Sequence, residues 1–479
     1  MKKIVLALIT ILFIGACKKD ITSVNIDPKH PLNVSSVSLF TNAQRRLVNT
    51  VSSSNVNLNI FRLIEQQWQE TTYIDESQYD LQTRTIPDNL WDAFYRDVLK
   101  NLDESKRVAA TEGKSAADLK NQLAITDILE AYTWYYVVTT FGDVPYTEAL
   151  NIDNVFPKYD DGLTILKNLL TRLDTDITDL NSGSNTLGAA DAIYEGDAAS
   201  WKKLANSLKL KIAMTLADAD PAAAKTAAEA AVTSGIFTYS SGNANADNAR
   251  YPYTTITPNT NPIWVDLVQS GRLDFVANTT ITTQMNALAD PRRPFYFTLD
   301  PDGKYSGGNS GESSPYANFS APAVTITKAD FPGALIDVAE VQFLLAEAAE
   351  RGYNVGGSAA TFYNNAVTAS ILDWGGTAAS AATYLAQTSV AYATATGGWK
   401  QKIGTQKWLA LYNRGIDAWV EQRRLDFPVL EDATDALTAF PVRFTYPVKE
   451  QNVNEVNRSA AASKIGGDAV TTKLFWDKF

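Results

Sequence analysis

One cysteine in 479 residues, Cys17, stands where spacing gives it a covalent role. Lys2 and Lys3 lead an apolar run from Ile4 to Ile14, and Gly15-Ala16 precede the thiol. A charged lead, an apolar core and a small residue before the cut describe an export signal, and the run is too short to span a bilayer. Ile14-Gly15-Ala16-Cys17 departs from the commonest lipoprotein signal only at its second position. Cleavage before Cys17 would expose it for lipid attachment, and several acyl chains hold a protein far more firmly than one. An ordinary export signal with a chance cysteine, or a buried free thiol, are the other readings.

The remaining nucleophile and metal chemistry is thin. The single histidine, His30, lies between two prolines in Asp27-Pro28-Lys29-His30-Pro31, close to the expected tether. Ser-His-Asp and Cys-His arrangements would need it, and zinc sites lose their usual ligands. Paired carboxylates stay open, because glycoside hydrolysis needs only two of them. Glu347 with Glu350, or Asp337 with Glu340, have helical spacing on one side, although 53 acidic residues make such pairs common. Asp300-Pro301-Asp302-Gly303 begins like a calcium loop, but its glycine comes too early and no closing glutamate follows, so it reads as a turn. No cofactor and no metal are assigned.

Aromatic rings are the other candidates: 10 Trp, 21 Tyr and 19 Phe offer flat apolar faces with polar edges. Six in loop-like contexts, Trp68, Tyr73, Tyr79, Tyr253, Trp264 and Tyr296, are the expected ligand-stacking residues. The formal charge of −11 becomes −13 once Lys2 and Lys3 leave with the signal, which argues against nucleic acid or an anionic membrane face as partner.

The elements that must position these rings are mainly helical. Residues 1–16 read as signal, 17–34 as an extended lipidated leader and 35–479 as one body, without a dividing linker. Helices are expected over Ser115–Phe141, Tyr159–Leu180, Ala198–Leu216, Val338–Gly352, Ala359–Trp374 and Gly404–Leu425. On these, Glu340, Glu347 and Glu350 are expected to face solvent, and Lys202, Lys203, Lys209 and Lys211 to lie mostly off the apolar face. Arg423 and Arg424 end the last helix, where cations complement the helix dipole; a carboxylate or phosphate clamp is the functional alternative. Antiparallel pairs suggest a tetratricopeptide-type stack, although no repeat of about 34 residues is visible. From about 238 to 335, Gly, Asn, Ser, Thr and Pro dominate, so short elements and long functional loops are expected.

Several motifs, taken together, resemble the SusD/RagB-like nutrient-binding lipoproteins of the Bacteroidetes outer membrane. They begin with Cys17 and the Asp27-Pro28 leader, then Trp91-Asp92-Ala93-Phe94-Tyr95-Arg96, Phe141-Gly142-Asp143-Val144-Pro145-Tyr146 and Pro157-Lys158-Tyr159-Asp160-Asp161. Ile193-Tyr194-Glu195-Gly196-Asp197 with Trp201 and Asn206-Ser207-Leu208-Lys209-Leu210 follows, then Asp290-Pro291-Arg292, Ala346-Glu347-Ala348 and Gln406-Lys407-Trp408. Trp419-Val420-Glu421-Gln422-Arg423-Arg424 with Phe427-Pro428, Arg443-Phe444-Thr445-Tyr446-Pro447 with Glu450 and Asn454, and Phe475-Trp476-Asp477 complete the set. The resemblance implies a tetratricopeptide-like helical body with an irregular ligand-binding side. It also implies a partnership with a SusC-like TonB-dependent transporter, and capture of glycans or peptides without catalysis. An envelope glycosidase and a protein-binding scaffold are the alternatives from other classes.

Overall fold

Helices form where the apolar period and a capping side chain coincide. The computed structural model describes residues 34–479. Helix α1 (Ser36–Ser52) is capped by the Ser35 side chain and packs on α2 (Lys100–Ala109). Ser115 caps α3 (Ala116–Phe141), and Asp161 caps α4 (Gly162–Asp179) by accepting the Thr164 N–H at 2.8 Å. Each cap satisfies a donor that the first turn would otherwise leave bare. The expected α4 began earlier, but Tyr159–Asp160 is instead a strand, with Asp161 outside the helix as its cap.

Helices α5 (Ala198–Thr215) and α6 (Pro221–Ser234) follow, then α7 (Val338–Glu350) and α8 (Ala359–Asp373). The predicted helix over 404–425 is two helices, α9 (Trp399–Ala410) and α10 (Gly415–Leu425). Asn413 between them has a left-handed backbone (φ 68°), and Gly415 lies so close to the Phe61–Arg62 backbone that a Cβ would meet Arg62 N at 2.7 Å. Consecutive helices pack as tetratricopeptide-like pairs, α3 on α4, α5 on α6, α7 on α8 and α9 on α10, as the sequence suggested. No described helix is long and apolar enough to cross a membrane.

Between α6 and α7 the chain is short elements and loops, as expected. Three two-stranded antiparallel sheets tie the irregular side down. In chain order the strands are β1 (Trp68–Glu70), β2 (Val144–Pro145), β3 (Tyr159–Asp160), β4 (Arg250–Tyr251), β5 (Phe275–Ala277) and β6 (Gly333–Ala334). They pair β1 with β5, β2 with β3 and β4 with β6. Asp300 accepts the backbone N–H groups of Asp302 and Lys304, both at 2.9 Å, so the calcium-like motif is a turn.

Several charged side chains expected in solvent are buried instead. Helix α7 touches α5, α8 and α9, and Val338 to Ala348 is buried all round. Glu340 and Glu347, two turns apart, therefore face the core. Glu347 joins Arg424 at 2.6 Å and Arg351 at 2.9 Å, and Arg424 also takes Glu421 at 2.6 Å. Glu340 joins Lys211 at 2.8 Å and Arg414 at 2.6 Å. Lys211 is fully buried, also meets Asp417, and sits over the rings of Tyr132, Tyr135 and Tyr136. Lys209 is buried too and reaches Asp174 on α4. Arg424 is thus an internal partner of carboxylates of this chain. Arg423 donates to the carbonyls of Trp419, Thr139 and Val442, between the indoles of Trp419 and Trp476.

Removing one member of a buried pair leaves the other charge without compensation, at a cost of about 3–5 kcal/mol. Lys211→Met, which leaves the buried Glu340 and Asp417 to share Arg414 alone, is expected to lose about that much stability, measured by urea denaturation at pH 7.

Candidate functional site

Loops on the irregular side enclose a cleft of about 460 Å³ where α1 ends and β1 meets β5. Its walls come from Ser54–Asn57, from the loop after β1 carrying Thr72, Tyr73 and Arg84, and from Asp266, Arg272 and Asp274 near β5. Glu70 and Phe275, cross-strand neighbours in the sheet, form its inner end. The sheet pairing continues past β1, where the Thr71 N–H donates to Asp274 O at 2.9 Å and its hydroxyl to Leu273 O at 2.8 Å. The cleft wall is therefore held to the frame by backbone.

Tyr73 is 80% exposed at this cleft, and its backbone is left-handed at φ 51°. A bulky residue seldom accepts that conformation unless the surroundings impose it, and such outliers gather at functional sites. The ring stands in water with its face free. Around it the polar groups are ordered by bonds to one another. Asn55 accepts the Asn57 N–H at 3.0 Å, and Ser54 donates to Asp266 at 2.9 Å. Burial, moderated by the Ser54 hydroxyl, raises the Asp266 carboxyl above the usual range. Arg84 is held by Glu76, while Arg272 is largely exposed and only loosely paired with Asp274 at 3.8 Å. An exposed ring flanked by amides, hydroxyls and ions can stack on a sugar and hydrogen-bond its hydroxyls.

The other expected stacking residues stand elsewhere. Trp68 is buried on β1, its indole N–H donating to Tyr412 Oη at 2.9 Å beneath the Arg62 guanidinium. Tyr296 is buried and stacked on Tyr412 with centroids 4.0 Å apart. Tyr79 packs edge-on against Phe440, and Tyr253 packs against Tyr251 and donates to Asn49. These four rings are buried and present no open face. Trp264 is half-buried on a π turn (Trp264–Gln269) that supplies Asp266 to the cleft, but it does not itself line that space. Cys17 lies outside the described residues.

Sequence reading missed Asn55, Asn57, Arg84, Asp266, Arg272 and Asp274. The polar run after α1 was the one local signal, since Asn favours turns. The carboxylate pairs singled out for hydrolysis are engaged internally. Asp337 caps α7 and pairs with Arg414 at 3.0 Å, Glu340 and Glu347 lie in the buried network, and Glu350 accepts from Tyr392. A smaller cavity of about 110 Å³ lies beyond Val51 and Ser52, lined by Arg250, Arg414, Asp337, Asp373 and Asp417. Its charges pair with one another, so a guest would have to break them. Among the described residues no cluster of His, Cys, Asp and Glu could hold a metal.

The frame is helical, and the cleft on its irregular side is open and carries an exposed aromatic ring. The SusD-like family profile, described as starch-binding and associating with the outer membrane, matches residues 28–447, and the chain belongs to that family. Its members are binding proteins, not enzymes, and so is this chain. Among solved structures, a chitin-binding protein is 27% identical with a TM-score of 0.80, covering 93% of this chain and 100% of its own. A SusD homologue from Bacteroides uniformis is 26% identical with a TM-score of 0.79, covering 93% and 100%. A SusD-like protein from Bacteroides thetaiotaomicron is 25% identical with a TM-score of 0.78, covering 92% and 98%. No curated protein matches the chain.

Trp68→Ala is expected to lower stability by about 3–5 kcal/mol, the range for deleting a large buried aromatic side chain. Tyr73→Ala should leave the unfolding midpoint unchanged within error in the same denaturation experiment.

Proposed function

We propose that this chain is a lipid-anchored outer-membrane surface protein that captures an oligomeric glycan in the Tyr73 cleft and passes it to a SusC-like TonB-dependent transporter. The observation that carries the reading is Tyr73, an exposed ring on a left-handed backbone, flanked by hydrogen-bonding groups in a cleft of about 460 Å³. The starch-binding description of the family and the chitin-binding relative support a glycan over a peptide. Cys17 is the lipid attachment point in this reading, and the transporter is the partner that the family resemblance implies.

Chemically, the sugar ring stacks on Tyr73 while Asn55, Asn57, Arg84, Arg272 and Asp274 meet its hydroxyls. Trp264 is kept as a contact for a longer chain that reaches beyond the cleft along the π turn. Nothing in this arrangement transforms the ligand.

Calorimetric titration with starch and chitin oligosaccharides tests the reading. One of the two series should bind, Tyr73→Ala should weaken it by about 1–3 kcal/mol, a magnitude taken from nucleic-acid bases stacked on aromatic side chains, and the oligosaccharide should be recovered uncut. Binding that is indifferent to Tyr73→Ala would move the site elsewhere. Turnover abolished by a single carboxylate substitution would make the protein a hydrolase instead.

A further inference from the structure

Two acids of the cleft have no cation of their own. Glu70, 3% exposed at the inner end, uses one oxygen within the chain: Oε2 accepts the Ser77 N–H at 2.9 Å and the Ser77 hydroxyl at 2.6 Å. Its Oε1 has no partner among the described residues, and the side chain lines the cleft. Half-buried Asp266 on the π turn repeats the pattern, with Oδ2 taking the Ser54 hydroxyl at 2.9 Å and Oδ1 left over. A third acid, Asp274, is only loosely paired with Arg272 at 3.8 Å.

The nearby cations are spent elsewhere. Arg84 is neutralised by Glu76, which does not line the cleft, and Arg62 gives its N–H groups to Ser52, Ser53 and Asn413. Arg272 is 70% exposed, so water weakens its repulsion of another cation. The lining thus sets three acids against one loosely held arginine. Burial raises Glu70 to about 9 and Asp266 above its usual range, and a cation within reach would draw each back towards its charged form. Among the described residues no group of acids could hold a metal ion, so the cation that fits is an extended organic one. The open face of Tyr73 attracts an ammonium as well.

Building on the cleft reading above, we propose that the Tyr73 cleft selects amino sugars with free amines, whose ammonium groups meet Glu70, Asp266 and Asp274 while a sugar ring stacks on Tyr73. The ligand class is a glucosamine oligosaccharide stripped of some or all of its acetyl groups. Starch has no charge to offer these acids, and fully acetylated chitin carries a neutral amide where the ammonium would stand.

Calorimetric titration with the tetrasaccharides of glucosamine and of N-acetylglucosamine tests this at about pH 6, below the usual range of such amines. The free-amine tetrasaccharide should bind about tenfold more tightly, the fold-change of one charge-assisted hydrogen bond. Added salt should shrink that preference, because part of the attraction acts through water. Glu70→Gln and Asp266→Asn should each bring the two affinities towards parity, and the second variant carries the test if the first fails to fold. Equal or tighter binding of the acetylated tetrasaccharide, or a preference that both variants leave unmoved, would overturn the amine selection and leave the glycan reading standing. Tighter binding of an oligosaccharide of uronic acids would overturn it too, by assigning the cleft to its arginines. If neither tetrasaccharide nor a starch oligosaccharide binds, the glycan reading itself fails and the amine selection falls with it.

Discussion

Charges turned inward by α7 hold the rest of the molecule in place. Glu340 and Glu347 point into a core where water cannot solvate them, so their energy depends on the cations that meet them: Lys211 from α5, Arg414 at the start of α10 and Arg424 near its end. Lys407 from α9 meets Glu421 at 2.7 Å in the same network. Arg414 and Arg424, with strong acceptors at fixed geometry, stay firmly charged, and burial of Glu421 is overcome by Arg424 and Lys407, which hold it down to about 2. A helix that slid by one turn would leave several ions bare at once. Apolar ridges could tolerate such a slip at modest cost, whereas an unpaired buried ion could not.

That rigidity is passed to the irregular side through Arg62. Its guanidinium donates to Asn413 between α9 and α10, at 2.9 Å, and to the carbonyls of Ser52 and Ser53 at the end of α1, at 2.9 and 2.6 Å. It also lies 5.0 Å above the Trp68 ring. One buried cation thus joins the helical frame to two walls of the cleft. Burial lowers its affinity for the proton to about 10, offset in part by Tyr412 and Asp266, which leaves it charged at physiological pH.

Much of the frame was legible in the sequence because helix period and caps are local signals. Ser115 bounds its helix in both sequence and structure, whereas Asp161, inside the expected helix, proves to be its cap. What failed was the assumption that each helix buries one face and wets the other. Helix α7 has neighbours on all sides, so Glu340 and Glu347, and Lys211 opposite, could be placed only by knowing what packs against them, while Glu350 at its end is exposed as expected. The cleft was harder to see. Tyr73 and Tyr79 look alike in sequence, and one stands in water while the other lies under Phe440, more than three hundred residues away. Both backbones are left-handed, so the sign that separates Tyr73 is its exposure, which belongs to the folded chain. The family motifs proved more informative about the frame, since Lys407, Glu421, Arg424 and Glu347 all fall within them and within the buried network.

The bond from Thr71 to Leu273 spans 202 positions of sequence, and β1 finds β5 across a slightly longer interval. Arg62 closes a still longer circuit to Asn413. The cleft is therefore not portable: its lining runs from Ser54 to Phe275, and a short fragment bearing Tyr73 would carry the ring without the pocket. Its lining is complete only once the polypeptide has been made past Phe275, and its Arg62 tie only past Asn413. An unfinished chain therefore lacks the finished cleft.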